Sequence, residues 1–226
     1  RAAEMMVFMV VPVIAPSLGQ LMMIFANWHM IFVLMAIIAA AITFWTWARL
    51  PETLHPEDRM PINVRRIAGA FRFALTQRQS IGYTLAMTAI TGALFGFINS
   101  SQQIFADVFH AEAAFPAVFA LIAGGIAVAS IVNARLVVKL GSRKISHTAL
   151  IGFTSIAAIH AGVAISGHES IWTFAVLQTL TMFCFGLIAG NFGSMAMETM
   201  GKIAGTAASI QGFISTIVGS LLGFAV

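Results

Sequence analysis

The chain has 226 residues, of which 59% are apolar and 9% charged, with a formal net charge of +4; soluble domains average about 45–50% apolar and about 25% charged. So few charges could not cover so much apolar surface in water, so lipid must be the solvent, and the positive balance reads as a membrane-orientation signal rather than a nucleic-acid footprint. The single cysteine, Cys184, lies inside an apolar stretch, which excludes a disulfide framework and a CxxC zinc or redox pattern.

Seven apolar runs follow one another, at roughly residues 5–26, 30–48, 80–105, 115–138, 145–166, 171–195 and 203–226. Each reaches about the 20 residues that span a bilayer core as a helix. The predicted class is an all-α polytopic membrane protein with seven transmembrane helices.

The first run carries Pro12, Pro16 and Gly19. The prolines remove backbone donors and bend a helix, and a glycine beside the bend admits a close neighbour, so these three are gating or packing candidates. The second run is followed by the one long gap, which holds Pro51, Pro56 and Pro61 and then an amphipathic stretch at 62–75. Its apolar positions Ile62, Ile67, Phe71 and Leu75 recur at helical spacing among Arg65, Arg66 and Arg72, a pattern suited to the inner membrane surface.

In the third run Thr88, Gly92, Phe95, Asn99 and Gln102 share one helix face. A polar stripe in a spanning helix must meet protein or water. One reading is a substrate cavity wall, with the ring on apolar substrate surface and the amides orienting polar groups; the other is interhelical hydrogen bonding. Phe183 and Asn191 in the sixth run and Gln211 in the seventh are candidates for the same wall. His160 is the one histidine deep in a run, without an evident carboxylate partner inside the runs; it reads either as a titrating functional group or as a neutral structural one. The seventh run carries a stripe of small residues, Gly205, Ser209, Gly212, Thr216, Gly219 and Gly223, suited to close helix packing, with Gly205 and Gly212 as gating or packing candidates. Nothing in the chain suggests a metal site.

Every Lys and Arg falls before the first run or in alternate gaps: Arg49 to Arg78 after the second, Arg135 to Lys144 after the fourth, Lys202 after the sixth. The gaps at 27–29, 107–114 and 167–170 have none. Insertion retains basic residues inside, so the amino end and every second gap are cytoplasmic and the carboxyl end emerges on the opposite face.

Four segments in order resemble the bicyclomycin-resistance (Bcr/CflA) type of drug:proton antiporter in the major facilitator superfamily. VPVIAPSLGQ at 11–20 is similar to the antiporter motif of the fifth helix, with Gln20 where a second glycine is usual. WHMIF at 28–32 and LPETLHPEDR at 50–59 resemble the sixth helix and its exit, with His29 where arginine is common. NARLVVKLGSRK at 133–144 looks like the eighth-to-ninth cytoplasmic loop, matching at Gly141, Arg143 and Lys144. GLIAGNFGSMAMETMGKIAGTAASIQGF at 186–213 resembles the tenth helix end and eleventh helix start.

The resemblance implies a partial major-facilitator fold. Residues 1–50 would be the last two helices of the amino-terminal bundle, 51–79 the cytoplasmic linker and 80–226 the first five helices of the carboxyl-terminal bundle. Helices one to four and twelve of the same carrier, with the proton-carrying carboxylates, would lie outside this chain. The implied activity is export of small amphipathic drugs or metabolites by alternating access, with the proton as coupling ion and no cofactor. The small-molecule substrate would sit at the bundle interface, in a bacterial cytoplasmic (inner) membrane.

The rival readings are weaker. A retinal protein needs a lysine deep in a helix, whereas every Lys here lies at a cytoplasmic boundary or loop. A seven-helix receptor would be expected to carry paired extracellular cysteines. An intramembrane hydrolase would need a nucleophile or metal constellation that His160 alone does not make.

Cysteines substituted near Arg65 and Glu112 should label from opposite membrane faces, Glu112 from outside only. Equal labelling of both from outside would refute the orientation.

Overall fold

A computed structural model describes Gly19, residues 21–51 and residues 64–225 of the chain. After a helical piece at 21–25 come α1 (His29–Arg49), α2 (Val64–Thr76), α3 (Arg78–Gln103), α4 (Phe115–Leu140), α5 (Ser142–Ile165), α6 (Ile171–Met197) and α7 (Ala204–Phe224). A π-helical turn, Ile104–Val108, extends α3, and short 3-10 turns at Glu112–Ala114 and Gly201–Ile203 lead into α4 and α7. There is no strand among the described residues. Among the described residues six helices are long and apolar enough to cross a membrane: α1, α3 with its π turn, α4, α5, α6 and α7. They match six of the seven expected runs, while most of the run at 5–26, with Pro12 and Pro16, lies outside the described residues.

The helix ends follow from local chemistry. Pro116 sits in the first turn of α4, where a missing N–H costs nothing. Ser170 caps α6 by accepting a hydrogen bond from the Thr173 backbone N–H at 3.2 Å. Gly141, at φ 76°, is alone between α4 and α5; the left-handed turn there suits a residue without a Cβ.

Antiparallel succession brings Arg78, Arg135, Lys139, Arg143 and Lys144 to one end of the bundle, in accord with the alternate-gap pattern of the sequence. The centre of the bundle is α6, which packs against α3, α4 and α5. It contributes Phe174, Met182, Ile188 and Phe192 to a core completed by Ile90, Phe105, Ile122 and Phe153 from its neighbours. By contrast, α1 has no buried residue at all.

The amphipathic segment forms α2, which docks through Ala74 on Met200, Ala207 and Ile210 around the start of α7. Phe71 and Leu75 stay exposed, as a helix at the membrane surface requires. The expected Ile62 lies outside the described residues.

Between lipid-solvated helices no hydrophobic force drives association, so close packing must supply the attraction. It is closest between α3 and α7. A Cβ on Gly223 would stand 2.6 Å from Phe95 Cβ and 2.7 Å from the Gly96 nitrogen, and one on Gly92 would stand 2.9 Å from Leu222 Cβ. A second notch lets α6 approach α4: a Cβ on Gly186 would meet Ala129 Cβ at 2.7 Å and the Ile126 carbonyl at 2.9 Å.

The small-residue stripe of α7 therefore divides. Gly219 and Gly223 are buried on α3, while Gly205 and Gly212 have nothing within 4 Å of a built Cβ. The reason is that α7 changes neighbours along its length, its first turns using Ala207 and Ile210 against α2 and its last turns the stripe against α3.

Gly223→Ala should destabilise the bundle by about 1–3 kcal/mol, the usual cost of forcing a methyl into a packed contact. Gly212→Ala, made into open space, should be neutral or slightly stabilising. Reversible unfolding in mixed detergent micelles would check the pair, and equal effects would refute the assigned helix rotation.

Candidate functional site

The polar face of α3 is formed as the spacing predicted, and it points at α7. Thr88 is buried; its hydroxyl donates to the Thr84 carbonyl at 2.8 Å and lies 3.4 Å from Ser215 Oγ on α7. Asn99 Nδ2 donates to the Gly223 carbonyl at 3.4 Å, and the Phe95 backbone packs on the same glycine. Thr88, Gly92, Phe95 and Asn99 thus share the α3–α7 seam. Asn99 and Gln102 nevertheless remain exposed, one turn and two turns beyond the tightest contact.

Other candidates lie elsewhere. Asn191 is buried on α6, where Nδ2 donates to Asn133 Oδ1 on α4 at 2.6 Å and to the Leu187 carbonyl at 2.7 Å. Phe183 on α6 and Gln211 on α7 are half-buried. The structure does not join these three to the α3 stripe by any described polar contact. No described residue comes within 4 Å of a Cβ built on Gly19, and Pro12 and Pro16 lie outside the described residues.

At the basic end, a polar cleft of about 780 Å³ opens between the start of α3, the α4–α5 turn and the end of α6. Gln79 bridges it, donating from Nε2 to Glu198 Oε2 at 2.8 Å and to the Met195 carbonyl at 3.2 Å. Gly141 and Arg143 line the cleft with Ser142 and Ser194. Arg143 and Lys144 are exposed. Tyr83 forms the inner wall, stacked on His147 with ring centroids 6.0 Å apart and tilted on Phe192 at 5.1 Å. Glu198 is the acidic partner of this bridge.

At the opposite end His160 does have a carboxylate partner: its Nε2 lies 2.5 Å from Glu169 Oε1. The partner lies outside the apolar runs, because Glu169 sits in the turn between α5 and α6. Ser166 and Gly167 fold that turn back so that residues nine apart meet. Reading the two helices as a tight hairpin would have found it. Asn133 and Tyr83 belong to no stripe; a polar residue two positions before Arg135 is the only signal Asn133 offers.

Five packed spanning helices, polar along their seams and basic at one end, with α1 as a sixth spanning helix among the described residues, define an integral membrane protein of the polytopic helical class. The chain belongs to the Major Facilitator Superfamily, whose family model matches residues 2–223. Over 222 residues it is 29% identical to a "Bicyclomycin resistance protein homolog" of Haemophilus influenzae, covering 96% of this chain and 55% of that protein. It is 26% identical over 224 residues to an "Uncharacterized MFS-type transporter YdgK" of Bacillus subtilis, again covering 96% of this chain and 55% of the relative. The chain thus spans about half the length of these curated relatives. The superfamily is one of carriers rather than enzymes, and membership displaces the receptor and retinal readings.

A double-mutant cycle on Asn133→Leu and Asn191→Leu should return a coupling of about 0.6 kcal/mol and no more than about 1.7, the measured range for such pairs in membranes. A coupling near zero in the same unfolding assay would refute the contact.

Proposed function

We propose that the carrier to which this chain belongs exports small amphipathic compounds in exchange for protons by alternating access. The observation that carries the reading is the uncovered side of the α3–α7 pair. Asn99 and Gln102 on α3 and Thr216 on α7 are exposed at the level of apolar helices. Lipid cannot hydrogen-bond such groups, so they need water or another part of the protein. A water-filled cavity facing a second bundle answers that need. In it, amides would orient polar substrate atoms while neighbouring Phe and Met side chains accept varied apolar shapes.

In this proposal residues 80–226 belong to one bundle, residues 1–50 to the other and 51–79 to the linker. The absence of buried residues in α1 supports that division, since its packing partners would lie in the first bundle. The likeness to the bicyclomycin resistance homolog supports the drug class. Both relatives come from bacteria, which supports a cytoplasmic-membrane location. The proton would be taken by carboxylates on other helices, with His160 held in its pair at the outer end.

Asn99→Ala or Gln102→Ala in the complete carrier should shift transport of individual compounds by about fivefold, the worth of one lost hydrogen bond of about 1 kcal/mol. Amounts of protein in the membrane should be unchanged. Proton-driven uptake of several compounds into inverted vesicles is the measurement; a uniform fall that tracks protein abundance would leave a packing role only.

A further inference from the structure

The export reading counts the amphipathic helix α2 with the linker, yet α2 is built into the packed helices that follow it. Its connection to α3 is a single residue. α2 ends at Thr76, α3 begins at Arg78, and Gln77 between them is extended, at φ −78° and ψ 111°. Both sides of this elbow are tied: the Gln77 N–H donates to the Phe73 carbonyl at 3.2 Å, and the Gln77 carbonyl accepts from the Ile81 N–H at 3.0 Å. A joint of one residue has only two soft dihedrals, so α2 has little room to swing without breaking those bonds.

Further contacts fix its direction. Ala74 is buried with Met200, Ala207 and Ile210, and Met200, in the α6–α7 turn, is only 1% exposed. The backbone holds Met200 there, its N–H donating to the Met197 carbonyl at 2.9 Å and its carbonyl accepting from the Ile203 N–H at 2.8 Å. Just past the elbow, Gln79 reaches the end of α6 through Glu198 Oε2 and the Met195 carbonyl. α2 is therefore rooted on α3, held beside the end of α6 and laid along the start of α7. Lifting it off would bare Met200 and Ile210 at the cytoplasmic boundary, where water rather than lipid tails would receive them. The hydrophobic effect opposes that exposure, although it does not hold helices together inside the bilayer.

We infer that α2 is a strut of the carboxyl-terminal bundle: it moves as one body with α3, α6 and α7 through the transport cycle, and the division between the bundles falls before Val64. The inference rests on the two-bundle reading above and carries the edge of one bundle back from residue 80. The strut clasps the cytoplasmic ends of α3 and α7, as the notches at Gly219 and Gly223 clasp the seam farther along.

The test uses the complete carrier in lipid nanodiscs, with Cys184→Ala and no other native cysteine, and spin labels at exposed positions. Arg72→Cys with Lys139→Cys measures α2 against the carboxyl-terminal bundle, and Trp47→Cys with Lys139→Cys measures one bundle against the other. Between acidic and alkaline pH the second distance should shift while the first stays fixed and narrow. A first distance that shifts with the second would overturn the strut. A second distance that does not move would instead refute the two-bundle motion on which the inference rests. Ala74→Cys paired with Ala207→Cys or with Ile210→Cys gives a check that needs no change of state. Oxidation should close a disulfide in at least one pair, and the closed carrier should transport at the rate of its reduced form. Failure of both pairs to close would overturn the docking, and transport lost on closure and regained on reduction would show that α2 has to leave α7 during the cycle. A reduced carrier that moves no compound would count against export alone, since closure still scores the docking.

Discussion

Close approach of helix backbones is the constraint on which the rest of the structure depends. In water, apolar faces are driven together; in lipid the tails solvate them equally well, and only dispersion and polar contacts at short range distinguish one neighbour from another. The glycines at 92, 219 and 223 on the α3–α7 seam, and at 186 between α6 and α4, remove the side chain that would hold the helices apart. Once the backbones are that near, the hydroxyl of Thr88 can reach Ser215 and the amide of Asn99 can reach a main-chain carbonyl. The polar contacts are a consequence of the fit, and each contributes little alone.

This order of causes explains what could be read in the sequence. The six described spanning helices and the all-α class follow from run length, and the clustering of basic residues at one end follows from their segregation into alternate gaps. The face that Thr88, Gly92, Phe95 and Asn99 share also follows, because 3.6-residue periodicity fixes which residues align. Periodicity does not say what the face meets. In a soluble helix the apolar side gives the rotation, but these helices are apolar nearly all round, so the usual signal vanishes. Only the structure shows that the α3 stripe, from its residues open to a cavity or a seam, meets α7, and that Asn191 turns toward Asn133.

The α7 stripe illustrates the same limit in another way. Its six small residues are equivalent in spacing, yet two are buried and others lie open, because the helix crosses from α2 to α3 along its length. Turn residues were hard for a different reason. Glu169 and Gln79 lie outside the runs, and each becomes meaningful only when a connection folds it against a helix end.

The π-helical turn at Ile104–Val108 joins two parts of one helix that answer to different neighbours. Upstream, α3 is keyed to the notches of α7; downstream, Phe105 and Phe109 interlock edge-on with Phe174 of α6, and Phe105 with Phe115 of α4. A wider turn accommodates an extra residue without propagating its rotation. It acts as a register adaptor, letting each part keep its own phase. In evolutionary terms the two parts can drift separately, and their junction is the place where a one-residue change in length is absorbed. Losing one residue inside it would let the turn close to an ordinary α turn with both parts in phase, whereas the same loss in the regular stretch upstream would rotate the aromatic plug by ~100° about the helix axis.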